Sequence, residues 1–407
     1  MLINLLKNKK YLLACSYGPD SMALFKLLLN GGYDFAVAHV NYNMRGKASK
    51  EAALDLKRYT LENSIEFYEL EVNGKHFTGN FQAKAREVRY SFFHKLSEKH
   101  KFAAILTGHH EDDHLETYLM QRESQKKLFY FGIRQEASYQ GIKVIRPLLS
   151  FTKEEIMKFV KENDIPHEID QTNLELNYLR NKIRHNIVNQ LTKDERTKLL
   201  QELKEKNADI ETMVSILSKM IVAKKVNLKK YSTLSTEKKE MLIYMLFAEL
   251  DIHERYSSGT FNNIDNTINK KTASAMFKVY NNVYFVKAYQ YFKLININNY
   301  NCYEITVSAP KHVKTVHFSA DLTTLAAIEK FPISTYPLKI TTASEDDVYE
   351  INDYKKKIKR MYVDMKMPRH LRLIWPIVKD KNGQVIFVPR YRFNYNITQK
   401  DIFIIKT

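Results

Sequence analysis

The residues best suited to bind a ligand form the segment Ser16-Tyr17-Gly18-Pro19-Asp20-Ser21. This segment lies between an apolar run (11–15) and an amphipathic run (22–29). That order predicts a strand, a tight polar turn and a helix. Backbone N–H groups and hydroxyls that converge at a helix N-terminus stabilise a bound phosphate. Asp20 would repel a phosphate unless a cation lay between them, so we expect a phosphate-bearing ligand with Mg²⁺ here. The alternative is an ordinary turn in which Ser21 or Asp20 caps the helix.

A second segment is unusually rich in titratable side chains: Gly108-His109-His110-Glu111-Asp112-Asp113-His114-Leu115-Glu116-Thr117. Three imidazoles and four carboxylates at this density could indicate a zinc site. Against zinc, the segment begins where a predicted strand ends, so its first residues are not helical and pairs four apart do not stack there. A solvated, acid-rich helix start is the other alternative.

A third segment places two arginines on one helix face, because Arg180 and Arg184 are four residues apart in a predicted helix over 177–187. Neighbouring guanidinium groups repel each other unless an anion lies between them. The pattern therefore predicts a bound anion. In the alternative, the arginines form surface ion pairs with Asp170 or Glu175.

The elements that would position these segments alternate strands and helices up to about Leu149. Strands are predicted near 11–15, 35–40, 67–72 and 103–108, and helices over 82–99 and 112–122. This alternation is typical of an α/β domain with a doubly wound parallel sheet, in which ligands bind beyond the carboxyl ends of the strands. The turn at Ser16, the segment 39–46 and the segment 108–113 all fall at those ends, so we expect them to line one cleft. Residues 1–10 are expected to form a first helical segment.

The rest of the chain divides into two further regions. Thr152-Lys153-Glu154-Glu155 is a capping-box signal for a helix that runs to about Asn163. Residues 194–269 have a continuous helical period, whereas short aromatic and β-branched runs return from about 284, with a basic helix expected near 354–361. We therefore predict a catalytic α/β domain over 1–190, a helical middle domain over 191–283 and a small basic α/β domain over 284–407.

Composition narrows the class of protein. The 407 residues carry a net charge of +18, which predicts attraction to a polyanion, unless the lysines are spread evenly over every surface. Arginines alternate with aromatic rings over 390–395, a mixture that suits RNA and is also typical of a half-buried strand. No apolar run is long enough to cross a membrane, and Cys15 and Cys302 cannot form a disulfide framework or a four-cysteine metal site. We expect a cytoplasmic protein.

Taken together, the segments resemble the tRNA(Ile)-lysidine synthases of the PP-loop ATP pyrophosphatase superfamily. The first half of the chain has the family's motifs in the family's order, and residues 354–389 resemble its basic C-terminal domain in pattern more than in letters. The matching segments are Ser16–Ser21, His39-Val40-Asn41-Tyr42-Asn43-Met44-Arg45-Gly46, Gly108–Thr117, Arg146-Pro147-Leu148-Leu149 and 177–185.

The resemblance implies a Rossmann-like PP-loop fold and an ATP-dependent carbon–nitrogen ligase. In this reaction the wobble cytidine of a tRNA(Ile) with a CAU anticodon is adenylated by ATP with Mg²⁺, and free L-lysine then displaces AMP to give lysidine. The sequence leaves undecided whether the protein forms a homodimer. The implied nucleotide-binding residues are Ser16, Tyr17, Gly18, Pro19, Asp20, Ser21 and His39, with Asp20 as the metal ligand. The implied catalytic residues are Asp20, His109, Asp113 and Arg184, and the implied substrate or phosphate contacts are Arg45, Asp112, Glu116, Arg180 and Arg184.

The sequence departs from the family pattern at two motif positions. Tyr17 replaces a small residue, and it is strained if that position needs a positive φ. Tyr42 replaces a histidine, which weakens any acid–base role at this position. Two alternatives therefore remain, namely another PP-loop tRNA-modifying enzyme and an RNA-binding protein with a degenerate nucleotide site. A thiolase of the superfamily would need cysteine pairs. For His39, the alternative is a buried strand histidine with a structural partner.

Overall fold

The fold is described from a computed structural model, for residues 1–44, 46–74, 77, 79, 81–124, 128–139, 141–168, 178–250, 252, 257–351, 354–391, 393 and 402–406. The chain forms two compact units, Met1–Glu211 and Thr212–Thr407, called here the N-terminal and C-terminal units. No helix among these residues is long and apolar enough to span a membrane.

The N-terminal unit contains the predicted doubly wound sheet, with strand order β3-β2-β1-β4-β6-β5. Neighbouring strands are parallel except for β5, which is antiparallel to β6. The strands are β1 (Lys10–Ala14), β2 (Asp34–Asn41), β3 (Glu66–Glu71), β4 (Ile105–Leu106), β5 (Glu136–Tyr139) and β6 (Ile142–Ile145). The helices are α1 (Pro19–Asn30), α2 (Lys47–Glu62), α3 (Phe81–His100), α4 (Glu111–Glu123), α5 (Lys153–Glu162), α6 (Tyr178–Asn186) and α7 (Lys193–Ser218).

Local sequence signals explain where two of the site's helices begin. Pro19 is the first residue of α1, where its missing N–H costs nothing and its fixed φ suits the helix. Thr152 caps α5 through the predicted capping box: its hydroxyl accepts from the N–H of Glu155, and its own N–H donates to Glu155 Oε2 at 2.8 Å. The starts of both helices are thus fixed by the sequence around them.

The C-terminal unit is built on antiparallel pairings, with one parallel pair between β16 and β19. The first sheet has the order β7-β8-β11-β10-β9, the second β12-β15-β18-β19-β16-β17, and the third β13-β14-β20. The first sheet consists of β7 (Ile221–Val222), β8 (Lys225–Asn227), β9 (Ser274–Tyr280), β10 (Val283–Ala288) and β11 (Tyr291–Asn296), with helices α8 (Leu228–Ser232), α9 (Thr236–Ala248) and α10 (Ser258–Asn269). The other strands are β12 (Glu304–Val307), β13 (His312–Lys314), β14 (Phe318–Asp321), β15 (Leu338–Thr342), β16 (Val348–Ile351), β17 (Tyr354–Lys357), β18 (Pro376–Lys379), β19 (Val385–Phe387) and β20 (Phe403–Ile405), with helices α11 (Leu325–Lys330), α12 (Ile358–Asp364) and α13 (Arg369–Arg372).

The prediction of a helix at residues 1–10 is wrong. This segment has no helix before β1 begins at Lys10. Two tyrosine hydroxyls hold its backbone instead, since Tyr33 donates to the carbonyl of Ile3 and Tyr11 to that of Leu6, both at 3.0 Å. Side-chain hydrogen bonds therefore replace the helical ones.

Two helical predictions in the C-terminal unit are also wrong in part. The helical stretch expected over 194–269 is interrupted by the β7–β8 hairpin, where Ala223 and Lys224 have φ of 50° and 58°, as a tight hairpin turn requires. The basic helix expected near 354–361 begins only at Ile358, because Tyr354–Lys357 pairs with β16 as a strand.

The boundary predicted between residues 283 and 284 falls inside β10, which pairs with β9 on one side and β11 on the other. A domain boundary there would cut a central strand of a sheet. The division into three domains stays a prediction, and the contacts within the chain divide it at 211/212 instead.

Candidate active site

The turn between β1 and α1 is closed by its own hydroxyls. Ser21 is buried, and its Oγ donates to the carbonyl of Gly18 at 2.9 Å and accepts from the N–H of Ser16 at 3.3 Å. Gly18 is the N-cap of α1, and a glycine has no side chain with which to cap the first N–H groups. Those donors are therefore left for an anion at the positive end of the helix dipole.

Tyr17 has the positive φ that would strain a tyrosine at this position of the motif. Its φ is 67°, a left-handed value that costs a bulky residue about 1–2 kcal/mol. Its side chain is only 8% exposed and packs in the hydrophobic core of the N-terminal unit, while its carbonyl accepts from the N–H of Glu168 at 2.9 Å. The ring is thus packed in the core, and the strain is confined to the backbone.

Gly108 lets the acid-rich segment approach this turn. A Cβ at residue 108 would lie 3.0 Å from the carbonyl carbon of Asp20 and 3.1 Å from the nitrogen of Ser21, both backbone atoms that cannot move aside. The close approach places His110 Nε2 3.9 Å from Asp20 Oδ2 and 3.4 Å from Asp113 Oδ2. An imidazole therefore lies between two of the predicted carboxylates.

The first turn of α4 fixes Asp113. His110 is the N-cap, and its N–H donates to Asp113 Oδ2 at 3.1 Å, which is half of a capping box. Asp113 Oδ1 faces the arginines of α6 instead. The described residues contain no group of three histidine, cysteine, aspartate or glutamate side chains placed to hold a metal ion, so the zinc alternative has no support from them.

The anion predicted between Arg180 and Arg184 is a carboxylate of the protein. Glu116 is fully buried, and its Oε2 accepts from Arg180 Nε at 2.7 Å and from Arg184 Nη2 at 3.0 Å. Its Oε1 accepts from Arg184 Nε at 2.5 Å, and Asp113 Oδ1 accepts from Arg180 Nη2 at 2.7 Å. Both oxygens of Glu116 are therefore taken, which argues against its predicted contact with a substrate. Asp170 and Glu175, the alternative partners, lie outside the described residues.

Two further cations in the site were not predicted from the sequence. Arg196, on α7, places Nη1 2.8 Å from Asp112 Oδ1 and 3.1 Å from Glu111 Oε1. Lys153, the first residue of α5, places Nζ 2.5 Å from Asp20 Oδ1. The capping-box signal located the start of α5, but no local pattern shows which distant acid a lysine there will meet.

Burial and nearby charges set the protonation of the site. Burial lowers the pKa of His109 to about 4, and it also lowers the pKa of His39, whose Nδ1 lies 2.9 Å from the carbonyl oxygen of Cys15. Burial would raise the pKa of Asp113, but the electrostatic influence of His110 and Arg180, the positive charge that His109 gains at acid pH and the hydrogen bond from the N–H of His110 together bring it below its ordinary value. At neutral pH the site therefore has two neutral imidazoles and an ionised Asp113.

These groups surround one cavity of about 890 Å³ at the carboxyl ends of β1, β2 and β4. The predicted residues that line it are Ser16, Gly18, Pro19, Asp20, Ser21, His39, His109, Asp113, Arg180 and Arg184. Asp112 lines an adjoining cavity of about 870 Å³, together with Arg86 and Arg89 of α3. Arg45 lies outside the described residues. The structure thus brings together segments that are far apart in the sequence.

Comparison with known proteins identifies the family. Residues 1–191 match the PP-loop domain family. A tRNA(Ile)-lysidine synthase from Campylobacter jejuni (strain RM1221) is 33% identical over 258 residues, which covers 59% of this chain and 78% of the relative. The chain belongs to the tRNA(Ile)-lysidine synthase family.

Two further members of the tRNA(Ile)-lysidine synthase family extend this assignment. The Mycoplasma mycoides subsp. mycoides SC protein is 26% identical over 415 residues, covering 95% of this chain and 98% of the relative. The Mesoplasma florum protein is 36% identical over 180 residues, but the alignment covers only 44% of this chain and 45% of the relative. Similarity is thus present along nearly the whole chain.

Tyr42, which replaces a motif histidine of this synthase family, has a structural partner. Its hydroxyl donates to the carbonyl of Ala85 on α3 at 2.7 Å, and its ring packs edge-on against Phe77 and Phe81. Tyr42 therefore forms part of the cavity wall and is held there by α3.

The residues present fit the ATP and Mg²⁺ that a lysidine synthase would use. Magnesium is held in proteins by one or two carboxylates together with substrate phosphates, and seldom by an all-protein cage. Asp20 meets this requirement, because its partly exposed carboxylate lies at the phosphate-binding end of α1 and lines the cavity.

Proposed function

We propose that the protein is a tRNA(Ile)-lysidine synthase, an ATP-dependent ligase that joins L-lysine to the wobble cytidine of a tRNA(Ile) with a CAU anticodon. The observation that carries this proposal is the single cavity that joins the β1–α1 turn to the Asp113, Arg180 and Arg184 cluster. A phosphate site and a charged site for a base and an amine must adjoin in such an enzyme, since the carbonyl whose oxygen attacks the α-phosphate in the first step is the group whose carbon the amine attacks in the second.

In the first step, the carbonyl oxygen of the cytosine attacks the α-phosphate of ATP, and the bond to pyrophosphate breaks. The N–H groups at the start of α1 and the hydroxyl of Ser16 would hold the phosphate tail. Asp20 would hold the magnesium ion, which supplies positive charge to the leaving pyrophosphate. His109, neutral at physiological pH, lines the same cavity as this turn and can hydrogen-bond the base.

In the second step, the ε-amine of lysine attacks the activated carbon of the base, AMP leaves, and the amine gives up a proton. Three acids were candidates for binding that amine. Glu116 has both oxygens on arginines and does not line the cavity, and Asp112 is paired with Arg196 and lines only the adjoining cavity. Asp113 also has partners, Arg180 and the N–H of His110, but it lines the cavity itself and stays ionised. Asp113 is therefore best placed to hold the lysine ammonium, and its lowered pKa makes it a poor proton acceptor.

The surroundings of the cavity suit an RNA substrate. Arg86 and Arg89 lie on one wall with Tyr42 and Phe81, so that cations and rings are offered together to phosphates and unstacked bases. We further propose that the basic segment over 355–360 in the C-terminal unit contacts the tRNA. Neutralising it should weaken tRNA binding and flatten its salt dependence. The cytoplasm, where ATP, tRNA and lysine occur together, is the compartment such a reaction needs.

The cysteines disfavour a sulfur-transferring relative. Burial raises the pKa of Cys15 to about 11, so it is not a thiolate at neutral pH, and Cys302 lies in the C-terminal unit. An RNA-binding protein with a degenerate nucleotide site remains the second candidate, because Tyr17 has a positive φ in the phosphate turn. Exchange of labelled pyrophosphate into ATP in the presence of tRNA separates the two, since a protein that only binds RNA shows none.

The direct test is to incubate the protein with labelled lysine, ATP, Mg²⁺ and tRNA(Ile) transcribed with a CAU anticodon. We expect label in the tRNA, and none when the anticodon is changed or ATP is omitted. Asp113→Asn keeps an acceptor for the N–H of His110 and should lose most of the incorporation while it still binds tRNA. Absence of incorporation by the wild-type protein would refute the proposal.

A further inference from the structure

Lys153 is the side chain that links the start of α5 to the phosphate turn. Its backbone is fixed, because Thr152 caps the helix and the N–H of Lys153 donates to Asp112 Oδ1 at 3.3 Å. Its ammonium lies 2.5 Å from Asp20 Oδ1 and lines the same cavity as the turn. A fixed backbone position thus places a flexible, positively charged side chain beside Asp20 in the first turn of α1.

The ion pair between Lys153 and Asp20 is not needed when a metal ion and a phosphate occupy the site. If Asp20 holds a magnesium ion there, the carboxylate has a second cation and no longer needs the ammonium. The released ammonium would then lie beside the phosphate tail, with three donors on a flexible stem. Lysine suits such an exchange, because it binds phosphate as a point charge and needs no fixed fork geometry.

The two arginines of α6 that line the cavity are less available than Lys153. Arg180 and Arg184 are each held by Glu116 and by Asp113 through contacts of 3.5 Å or shorter. The only ion pair that the structure gives Lys153, among the residues it describes, is the one with Asp20. Its side chain is 36% exposed, so it is free enough to turn.

We propose that Lys153 is a phosphate-binding residue that exchanges the carboxylate of Asp20 for a phosphate oxygen when a nucleoside triphosphate occupies the cavity. This deepens the proposed function and rests on it for the identity of the triphosphate. The competing explanation is a structural ion pair that ties α5 to α1. The two explanations make different predictions for a variant in which Asp20 is neutral. If the ion pair is only structural, Lys153 then has no function at this site. If Lys153 binds phosphate, the loss of the Asp20 charge makes its ammonium more available for that binding.

The test measures the binding of inorganic pyrophosphate by calorimetry with EDTA present, so that no metal takes part. It compares the wild type with Asp20→Asn, Lys153→Met and the double variant. We expect Asp20→Asn to bind pyrophosphate more tightly than the wild type, because an acid is removed and Lys153 is released. Lys153→Met should weaken binding about tenfold in the Asp20→Asn background, where no carboxylate at residue 20 competes for the ammonium.

The matched control is Lys158→Met on the same helix, where the side chain is 73% exposed and pairs with Glu162. It removes the same charge from α5 and should leave pyrophosphate binding unchanged, whereas an equal loss would show a general charge effect and overturn the proposal. Lys153→Arg should retain most of the binding.

Three results would overturn the proposal: an effect of Lys153→Met below about twofold in the Asp20→Asn background, no pyrophosphate binding by Asp20→Asn, or unfolding of Lys153→Met in circular dichroism. Failure of the proposed function would look different. The wild type would then transfer no lysine to tRNA, even though pyrophosphate binding depended on Lys153 as described.

Discussion

The buried carboxylates of the N-terminal unit and the buried lysines of the C-terminal unit are stabilised in different ways. In the N-terminal unit, the buried carboxylates meet opposite charges: Glu116 lies against Arg180 and Arg184, and Asp112 lies against Arg196. In the C-terminal unit, Lys287 and Lys293 are 4% and 8% exposed, and the described residues give neither of them a carboxylate partner. The ammonium of Lys287 instead donates to the carbonyls of Thr267, Ile268 and Lys270 at the end of α10.

The difference teaches what each kind of burial does to a charge. Burial tends to neutralise an ionisable group, and an adjacent opposite charge restores it. Burial would lower the pKa of Arg184, but Glu116 and Asp113 raise it, so the paired groups around the cavity stay charged. Lys293 lacks such a partner, and burial together with Lys225 lowers its pKa to about 8. We infer that ion pairing keeps the side chains around the cavity charged. By contrast, the buried charge of Lys293, which has no carboxylate partner among the described residues, lowers the free energy of unfolding of the C-terminal unit.

The largest effect should come from breaking the pairing in the N-terminal unit with Glu116→Gln. This change leaves two partly buried guanidinium groups without their shared carboxylate, so we expect the free energy of unfolding to fall by about 3–5 kcal/mol. Hydrogen exchange of the α4 and α6 amides should report it, and lysidine formation should be lost with it.

The control for Glu116→Gln is Glu162→Gln, which removes one partner of an exposed pair with Lys158 and should cost less than about 1 kcal/mol. Equal effects of the two substitutions would mean that burial adds nothing to the pairing at Glu116. The contrast between the two units would then lose its basis.

In the C-terminal unit, removal of the buried charge of Lys293, whose ammonium has the hydroxyl of Tyr300 at 3.4 Å but no carboxylate among the described residues, should stabilise. A pKa lowered from 10.5 to about 8 corresponds to about 3 kcal/mol of lost stability at neutral pH, so Lys293→Met should regain up to that amount. The unfolded chain binds more protons than the folded one between pH 8 and 10.5, so wild-type stability rises through that window. The advantage of Lys293→Met should therefore be full below this window and vanish above it. Trp375, the single and fully buried tryptophan, reports the unfolding by fluorescence.

Lys287→Met is the matched comparison for Lys293→Met. It removes a buried ammonium that three backbone carbonyls use as a partner, and these acceptors would be left unsatisfied. We expect the free energy of unfolding to fall by about 1–3 kcal/mol, opposite in sign to Lys293→Met. If both substitutions stabilise, the carbonyl contacts of Lys287 contribute nothing.

The sequence predicted the fold best where hydrophobic period and turn chemistry agree. The doubly wound sheet and the capped start of α5 are confirmed, because local residues specify each of them. The sequence did not predict the β7–β8 hairpin, since lysines and short β-branched runs occur in helices and in strands. Only the pairing with a neighbouring strand decides between the two. Strand β8 exists because Val226 pairs with Phe292 of β11, 66 residues further on in the chain.

For the site, the sequence identified the segments but not the ion pairs. The motifs name Asp20, Asp113 and Arg184, and the structure places all three at one cavity. The motifs do not show that Glu116 serves the arginines, or that Lys153 and Arg196 reach Asp20 and Asp112. Contacts between residues more than forty positions apart depend on how helices pack, which no local pattern encodes.

The smallest expected effect concerns His370, which has no exposed surface and no hydrogen-bond partner for either ring nitrogen among the described residues. Burial, with Lys293 and Lys225 nearby, lowers its pKa from 6.5 to about 2, and the ring of Tyr300 packs edge-on against it. The unfolded chain therefore takes up a proton below pH 6.5 that the folded chain refuses, and stability falls as the pH falls. His370→Leu removes this loss, so we expect its free energy of unfolding to exceed that of the wild type by about 2 kcal/mol at about pH 5, and by nothing from this effect at about pH 8.

The control for His370→Leu is His312→Asn, which changes a side chain that is 75% exposed. It should show no such gain in the free energy of unfolding, as measured by the fluorescence of Trp375. If the difference between His370→Leu and the wild type is the same at both pH values, the buried imidazole finds a partner for its proton, and the C-terminal unit tolerates unpaired charge better than the comparison with the cavity implies.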